Sequence, residues 1–180
     1  MKIYIIGIGL IGGSMALDIK ALHPNATICG IDANENHLKE AIALGVVDVA
    51  GKMEDLVSAD FVILSVPVDV AMVVLPNVLD AIGDDTIVFE VGSTKMPICE
   101  AVTNHPKRRN FIATHPIAGT EFSGPSAAIH GLFQGKTNII CEVEKTAFKL
   151  QEKALELFRE LGMRIRYMEP KSHDKHIAYV

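Results

Sequence analysis

The fold of this chain is decided by Gly7-Ile8-Gly9-Leu10-Ile11-Gly12-Gly13-Ser14, which follows directly on the apolar run Ile3-Tyr4-Ile5-Ile6. The spacing Gly-x-Gly-x-x-Gly predicts a strand that enters a tight turn and continues as a helix. Gly7 permits the turn, Gly9 leaves the backbone open to a pyrophosphate group, and Gly12 lets the helix pack close to the sheet. The helix N-terminus adds free N–H groups and a partial positive charge for the phosphates. This stretch therefore predicts a dinucleotide-binding turn.

A second feature, Asp32, indicates which dinucleotide binds. It ends the apolar run Thr27-Ile28-Cys29-Gly30-Ile31, at the distance from the glycine turn that a ribose-binding carboxylate requires. A carboxylate there accepts hydrogen bonds from the ribose hydroxyls and repels a 2′-phosphate, and Ala33 follows it with no arginine nearby. We therefore predict NAD rather than NADP as the cofactor. The alternative is that the glycines only form a tight turn and that Asp32 only caps the following helix.

Composition limits the class of protein. The chain has 180 residues, of which 49% are hydrophobic and 22% are charged, as is typical of one globular domain with a full core. The net charge of −5 argues against a nucleic-acid partner. The three cysteines form no Cys-x-x-Cys pair, and the histidines show no metal-ligand spacing. We therefore expect buried free thiols and no metal site.

The sequence does not favour a membrane span or a targeting segment. The longest apolar region, residues 61–79, is interrupted by Pro67, Asp69 and Pro76. Lys2 and the apolar start imitate a signal peptide, but glycines interrupt that stretch where the dinucleotide turn needs them. We therefore expect a cytoplasmic protein with no membrane partner.

Short apolar runs alternate with helical patterns along the chain. This alternation predicts a Rossmann-type α/β fold, with a doubly wound, mostly parallel sheet in a three-layer α/β/α arrangement. Strands are predicted over residues 2–6, 27–31, 61–66, 86–91, 110–114, 137–143 and 164–168, with a short extra strand near 47–50. Helices are predicted over residues 10–21, 35–44, 53–57, 70–81, 96–103 and 147–161, and from 171 onward. Pro76 is expected to break or kink the helix in which it lies.

Polar residues follow three of the predicted strands, where ligands of such sheets bind. The three segments are Ser65-Val66-Pro67, Gly92-Ser93-Thr94-Lys95 and His115-Pro116. His115 can transfer a proton near neutral pH, or it can be a structural histidine. Ser93 could orient the ring of His115. Lys95 could be catalytic, but a lysine at a helix start is usually a surface charge, and we expect the latter.

Several motifs together carry a resemblance to a known family. The glycine turn is followed, in order, by Ser65-Val66-Pro67-Val68, Val91-Gly92-Ser93-Thr94-Lys95, His115-Pro116-Ile117-Ala118-Gly119-Thr120-Glu121 and Ser123-Gly124. In this order they resemble the prephenate/arogenate dehydrogenase family of tyrosine biosynthesis, over residues 3 to about 176. The glycine turn is shared by many dehydrogenases, whereas the segment 115–121 is much more specific.

The resemblance implies a NAD-dependent oxidative decarboxylation of prephenate to 4-hydroxyphenylpyruvate. His115 matches the histidine that binds the ring hydroxyl and takes its proton, and Ser93 matches a serine that hydrogen-bonds this histidine. Thr120 and Glu121 match residues that line the substrate pocket. The expected cofactor-binding residues are Gly7, Ile8, Gly9, Leu10, Ile11, Gly12, Asp32, Ser65, Val66, Pro67 and Gly92.

Two departures from the family pattern bear on these expectations. Glu90 precedes Val-Gly-Ser where members often have aspartate. The chain also stops at Val180, whereas in the family the helix that begins near His173-Asp174 leads into a helical domain that completes the substrate site and forms the homodimer. We therefore expect a NAD-binding domain over residues 1–170 and the start of a connecting helix over 171–180. Such a chain should bind NAD but turn over prephenate poorly or not at all.

Other functions stay open on the sequence alone. A pyrroline-carboxylate or hydroxy-acid dehydrogenase of the same architecture would share the glycine turn and Asp32, but it would not need His115-Pro116 followed by Thr120-Glu121. A non-catalytic NAD-binding regulatory module is a second alternative. The choice between prephenate and arogenate as substrate is also open.

Overall fold

The chain alternates strands and helices in a computed structural model that describes residues 1–179. The strands are β1 (Lys2–Ile6), β2 (Thr27–Ile31), β3 (Val49–Ala50), β4 (Phe61–Leu64), β5 (Ile87–Glu90), β6 (Phe111–Pro116), β7 (Thr137–Cys141) and β8 (Arg164–Tyr167). The α-helices are α1 (Leu10–Leu22), α2 (Glu35–Ala43), α3 (Val68–Ala81), α4 (Met96–Val102), α5 (Phe148–Glu160) and α6 (Pro170–Ile177).

All the strands join one sheet in the order β3-β2-β1-β4-β5-β6-β7-β8. Neighbouring strands run parallel except β6 and β7, which are antiparallel. From β1, the chain moves first to β2 and β3 on one side and then crosses to β4 on the other. The loops after β1 and β4 therefore diverge, and a crevice forms at their carboxyl ends. The predicted Rossmann-type, mostly parallel fold is confirmed.

The sheet is buried on both faces, which explains why its strands are apolar runs rather than alternating patterns. Ile3 and Ile5 of β1 belong to the apolar cluster formed with α1 and α5, and both are fully buried. Tyr4 and Ile6 point to the other face and belong to the cluster formed with α3 and α4. These two clusters make the three layers, with the sheet in the middle.

The glycine turn is shaped by close backbone packing. Gly7 has a φ of +89°, and a Cβ there would overlap the carbonyl oxygen of Ser65 at the end of β4. A Cβ at Gly12 would overlap the carbonyl oxygen of Gly7, so α1 can lie against the turn only without a side chain at this position. Gly9 is different, because nothing lies within 4 Å of the position of its Cβ. Two of the glycines therefore serve packing, and the third leaves open space.

Most predicted boundaries agree with the structure within two residues, and three elements differ. Of the break or kink predicted at Pro76, the break is wrong, because α3 continues through Pro76 to Ala81. The hydrogen bond lost there would have gone to the carbonyl of Met72, which is an exposed residue. The predicted helix over 53–57 is a 3-10 helix at Met53–Ser58. The terminal helix is α6, and Val180, the last residue of that predicted segment, lies outside the described residues.

Replacing Gly12 tests the close packing of α1. The Gly12→Ala variant should lower the free energy of unfolding by about 1–3 kcal/mol, because the added methyl group forces the helix away from the turn. Gly9→Ala is the matched control, and it should change this free energy by less than about 1 kcal/mol. Urea denaturation of the three proteins measures the difference. Equal stability of the two variants would contradict the packing argument.

Candidate active site

A cleft of about 600 Å³ opens at the crevice beside β1, β2 and β4. Its walls are mostly apolar, with Val70 and Val74 of α3 on one side, as is typical of a site for a small molecule. Seven of the residues expected to bind cofactor line this cleft, namely Gly7, Ile8, Gly9, Asp32, Ser65, Val66 and Pro67. The sequence motifs after β1, β2 and β4 therefore meet in one place.

The other four expected cofactor residues do not line the cleft. Leu10, Ile11 and Gly12 form the first turn of α1, where Gly9 is the N-cap and no side chain caps the helix. The N–H groups of that turn are thus not occupied by a capping side chain. Gly92 lies in the loop after β5, and its N–H donates a hydrogen bond of 2.8 Å to the carboxylate of Glu90.

The carboxylate of Asp32 is tied directly to the glycine turn. One oxygen, Oδ2, accepts a hydrogen bond of 2.9 Å from the N–H of Ile8, and the other accepts one of 2.9 Å from the N–H of Asn34. The alternative that Asp32 caps α2 is wrong, because the N-cap is Asn34, whose side chain accepts from the N–H groups of Asn36 and His37. Each carboxylate oxygen of Asp32 keeps a lone pair for a further donor in the cleft.

A second cluster lies at the ends of β5 and β6, on the face covered by α4 and α6. The Nδ1 atom of His115 is 2.9 Å from Nε2 of His173, and Nδ1 of His173 is 2.7 Å from Oδ1 of Asp174. The carboxylate of Asp174 also accepts hydrogen bonds from the N–H groups of Lys95, at 2.7 Å, and Met96, at 2.8 Å. Asp174 thus joins α6 to the start of α4, and His173 joins α6 to His115.

A buried ion pair lies in this second cluster. The ammonium of Lys95 contacts the carboxylate of Glu90, and the two side chains are 0% and 1% exposed. The expectation that Lys95 is a surface charge is therefore wrong. Burial raises the pKa of Glu90, and Lys95 opposes that rise. Each charge depends on the other, because neither has access to water.

The surroundings of His115 keep its ring neutral. Its pKa is lowered to about 4, first by burial and then by the repulsion that a protonated His115 would meet from a proton on His173 and from Lys95, while Asp174 acts in the opposite direction. A neutral imidazole has one nitrogen without a proton, and that nitrogen can accept one. His115 therefore has the protonation state that a general base requires at neutral pH.

The remaining expected site residues lie in loops after β5 and β6. Ser93 is exposed, and among residues 1–179 the side chain hydrogen-bonded to His115 is that of His173 and not that of Ser93. Thr120 and Glu121 are exposed, and the hydroxyl of Thr120 accepts a hydrogen bond of 3.1 Å from the N–H of Phe122. The roles given to Ser93, Thr120 and Glu121 by resemblance stay predictions.

Sequence reasoning missed the partners of His115. The sequence indicates His173 and Asp174 only as the start of a helix, and Glu90 only as a departure from the family pattern. The burial of His173 in an otherwise polar helix is seen only in the structure. Its spacing alone could not show that it faces β6, because that contact spans 58 residues of sequence.

Other features of the chain bear on function classes. Within residues 1–179, no helix has both the length and the apolar character needed to cross a bilayer. In the same part of the chain, no group of three His, Cys, Asp or Glu side chains is placed to hold a metal ion. Cys29, Cys99 and Cys141 are buried and free, as the sequence predicted.

Comparison with known sequences gives a consistent match. The family profile described as "Prephenate dehydrogenase, nucleotide-binding domain" matches residues 15–167. Prephenate dehydrogenase of Bacillus subtilis is 33% identical over 180 residues, which cover 96% of this chain. Cyclohexadienyl dehydrogenase of Zymomonas mobilis is 33% identical over 178 residues, which cover 98% of this chain. The matches span only 47% and 61% of the lengths of these two relatives.

Comparison with solved structures agrees with the sequence match. Arogenate dehydrogenase of Synechocystis gives a TM-score of 0.88 at 28% identity, over 99% of this chain and 63% of that one. Prephenate dehydrogenase of A. aeolicus, solved with hydroxyphenyl propionate and NAD+, gives 0.87 at 30% identity, over 97% of this chain and 62% of that one. With the profile match over residues 15–167, these likenesses show that the chain belongs to the prephenate dehydrogenase family, in its nucleotide-binding domain.

Proposed function

We propose that the chain binds NAD in the cleft at the glycine turn. Gly9 supports this proposal, because nothing lies within 4 Å of where its Cβ would be and the backbone is open to a pyrophosphate. The single observation that carries the proposal is the carboxylate of Asp32, held 2.9 Å from the N–H of Ile8 at the edge of the same cleft. A carboxylate in this position favours ribose hydroxyls over a 2′-phosphate, and so NAD over NADP.

We further propose that the reaction is the oxidative decarboxylation of prephenate to 4-hydroxyphenylpyruvate, in tyrosine biosynthesis. Bound NAD supplies the hydride acceptor. His115 binds the ring hydroxyl and accepts its proton, which favours departure of the hydride from the same carbon. Family membership and the neutral ring of His115 support this assignment. Because the chain spans between 47% and 61% of the two relatives, cofactor binding and turnover are measured separately.

We also propose residue roles, an assembly and a location in the cell from membership of the family. We propose that Ser93 acts near His115 and that Thr120 and Glu121 line the substrate pocket, in a protein that is a homodimer at full length and cytoplasmic. Arogenate is the second candidate substrate, because one structural neighbour is an arogenate dehydrogenase. A chain that binds NAD and oxidises neither substrate would favour a regulatory NAD-binding module.

Asp32→Asn tests the choice of cofactor. Loss of the negative charge should weaken NAD binding about tenfold, because the hydrogen bonds from ribose lose a charged acceptor. The affinity for NADP should not fall, so the ratio of the NAD affinity to the NADP affinity should become smaller. Calorimetric titration of both nucleotides measures this, with Asp84→Asn as a control at an exposed position before β5. Tighter binding of NADP than of NAD by the unaltered chain would overturn the assignment.

His115→Asn tests the proposed base. The rate of prephenate oxidation, followed as NADH formation, should fall roughly 100- to 10,000-fold, the usual contribution of general base catalysis. NAD affinity should stay within about twofold, because His115 does not line the cofactor cleft. A variant with unchanged turnover would exclude His115 as the base.

The neutral state of His115 can be measured directly. Nuclear magnetic resonance of its ring should give a midpoint near pH 4 rather than 6.5, so the ring stays neutral as the pH falls from 7 to 5. In the unfolded chain the ring takes up its proton at the ordinary pKa, so the free energy of unfolding should fall as the pH drops from 6.5 towards 4. A midpoint at 6.5 would contradict the effect of burial.

A further inference from the structure

Hydrogen bonds connect Asp174 to His173 and His173 to His115. The protonation of Asp174 determines which atom of His173 donates. The carboxylate of Asp174 accepts from the N–H groups of Lys95 and Met96, at 2.7 and 2.8 Å. Burial opposes the ionised form, but these bonds and the one from His173 lower the pKa of Asp174 below its usual range. Asp174 is therefore an ionised group that only accepts hydrogen bonds. Its neighbour at 2.7 Å, Nδ1 of His173, must carry the proton.

The protonation of His173 then decides that of His115. His173 is 0% exposed, its Nδ1 lies against the carboxylate of Asp174, and its cluster also holds the Lys95 ammonium. A neutral His173 with its proton on Nδ1 has a bare Nε2, which can only accept. The atom 2.9 Å away, Nδ1 of His115, must donate. Beside a neutral His173, the proton of neutral His115 is therefore on Nδ1, and its Nε2 is bare.

We propose that His173, neutral and held by Asp174, is a positioning residue that fixes the tautomer of His115 and leaves Nε2 of His115 as the proton acceptor. The proposal rests on the proposed function for the identity of the proton donor, the substrate hydroxyl. When the O–H bond of that hydroxyl breaks, its proton goes to Nε2 and its electron pair forms the new carbonyl bond, as the C–H bond of the same carbon breaks. NAD would be the acceptor of that hydride. The imidazolium that results keeps its hydrogen bond to His173, and His173 is in turn hydrogen-bonded to the negatively charged carboxylate of Asp174.

The same contacts hold the ring in place as well as in one tautomer. The rings of His115 and His173 meet edge to face, with centroids 5.1 Å apart and planes at 78°. Asp174 is held by two backbone N–H groups of a different helix, so the support of His173 does not depend on α6 alone. A ring held at Nδ1 presents Nε2 in a fixed direction, as proton transfer requires.

The tautomer can be measured without substrate or turnover. Nitrogen-15 resonances of the histidine rings in the NAD-loaded chain distinguish a protonated Nδ1 from a protonated Nε2. We expect Nδ1–H in the unaltered chain at neutral pH. In His173→Leu, the ratio of the Nδ1–H to the Nε2–H form of His115 should fall about tenfold, because the acceptor is removed. His173→Gln should restore the ratio, since its side-chain oxygen can accept the same bond.

The control is His176→Leu, which removes an exposed histidine of the same helix and should leave the ratio unchanged. An Nε2–H tautomer in the unaltered chain would overturn the proposal even if the leucine variant fails to fold. So would an unchanged ratio in a folded His173→Leu chain. The expected tautomers without prephenate oxidation would support the positioning role and count against the proposed reaction instead.

Where turnover is measurable, steady-state kinetics give a second test of the positioning role of His173. His173→Leu should lower kcat roughly 10- to 100-fold, a part of the contribution of general base catalysis, with KM within about twofold. His173→Gln should recover most of kcat. Equal loss in both variants would indicate a purely structural role for His173 and would overturn the proposal.

Discussion

The contact on which the rest of this structure depends is the packing of Gly7 against the carbonyl oxygen of Ser65. It brings the backbone after β1 directly against the backbone after β4, which only a residue without a side chain allows. Gly12 then packs against Gly7, and this sets the position of α1. The crevice, the open space at Gly9 and the reach of Asp32 to Ile8 all follow from that arrangement.

The site has two parts with different physical characters. The cleft is apolar and open, and it lies where the loops after β1 and β4 diverge. The cluster around His115 is buried and charged, and it is built from residues of β5, β6, α4 and α6. The first part suits the binding of a large cofactor by shape. The second suits the control of one proton, because a low-dielectric surrounding makes each neighbouring charge more effective.

Most of the fold and the cofactor half of the site could be predicted from the sequence, because both are encoded locally. The glycine spacing defines the turn, and a doubly buried strand shows itself as an apolar run. The continuation of α3 through Pro76 could not be predicted, because the buried residues on both sides of the proline, among them Leu75 and Val78, hold the helix in place by tertiary packing. Nor could the burial of Lys95 and the contact from His173 to His115, since both depend on pairings far apart in sequence.

The buried pair of Glu90 and Lys95 has a consequence for how this sequence can diverge. Loss of either partner alone leaves an uncompensated charge inside the protein, which costs about 3–5 kcal/mol, a large share of the stability of an ordinary domain. Replacement of both by apolar residues of similar volume can be neutral for folding. A single substitution at either position is therefore strongly destabilising, whereas a simultaneous substitution at both positions need not be. The two residues should vary as a unit among descendants of this chain.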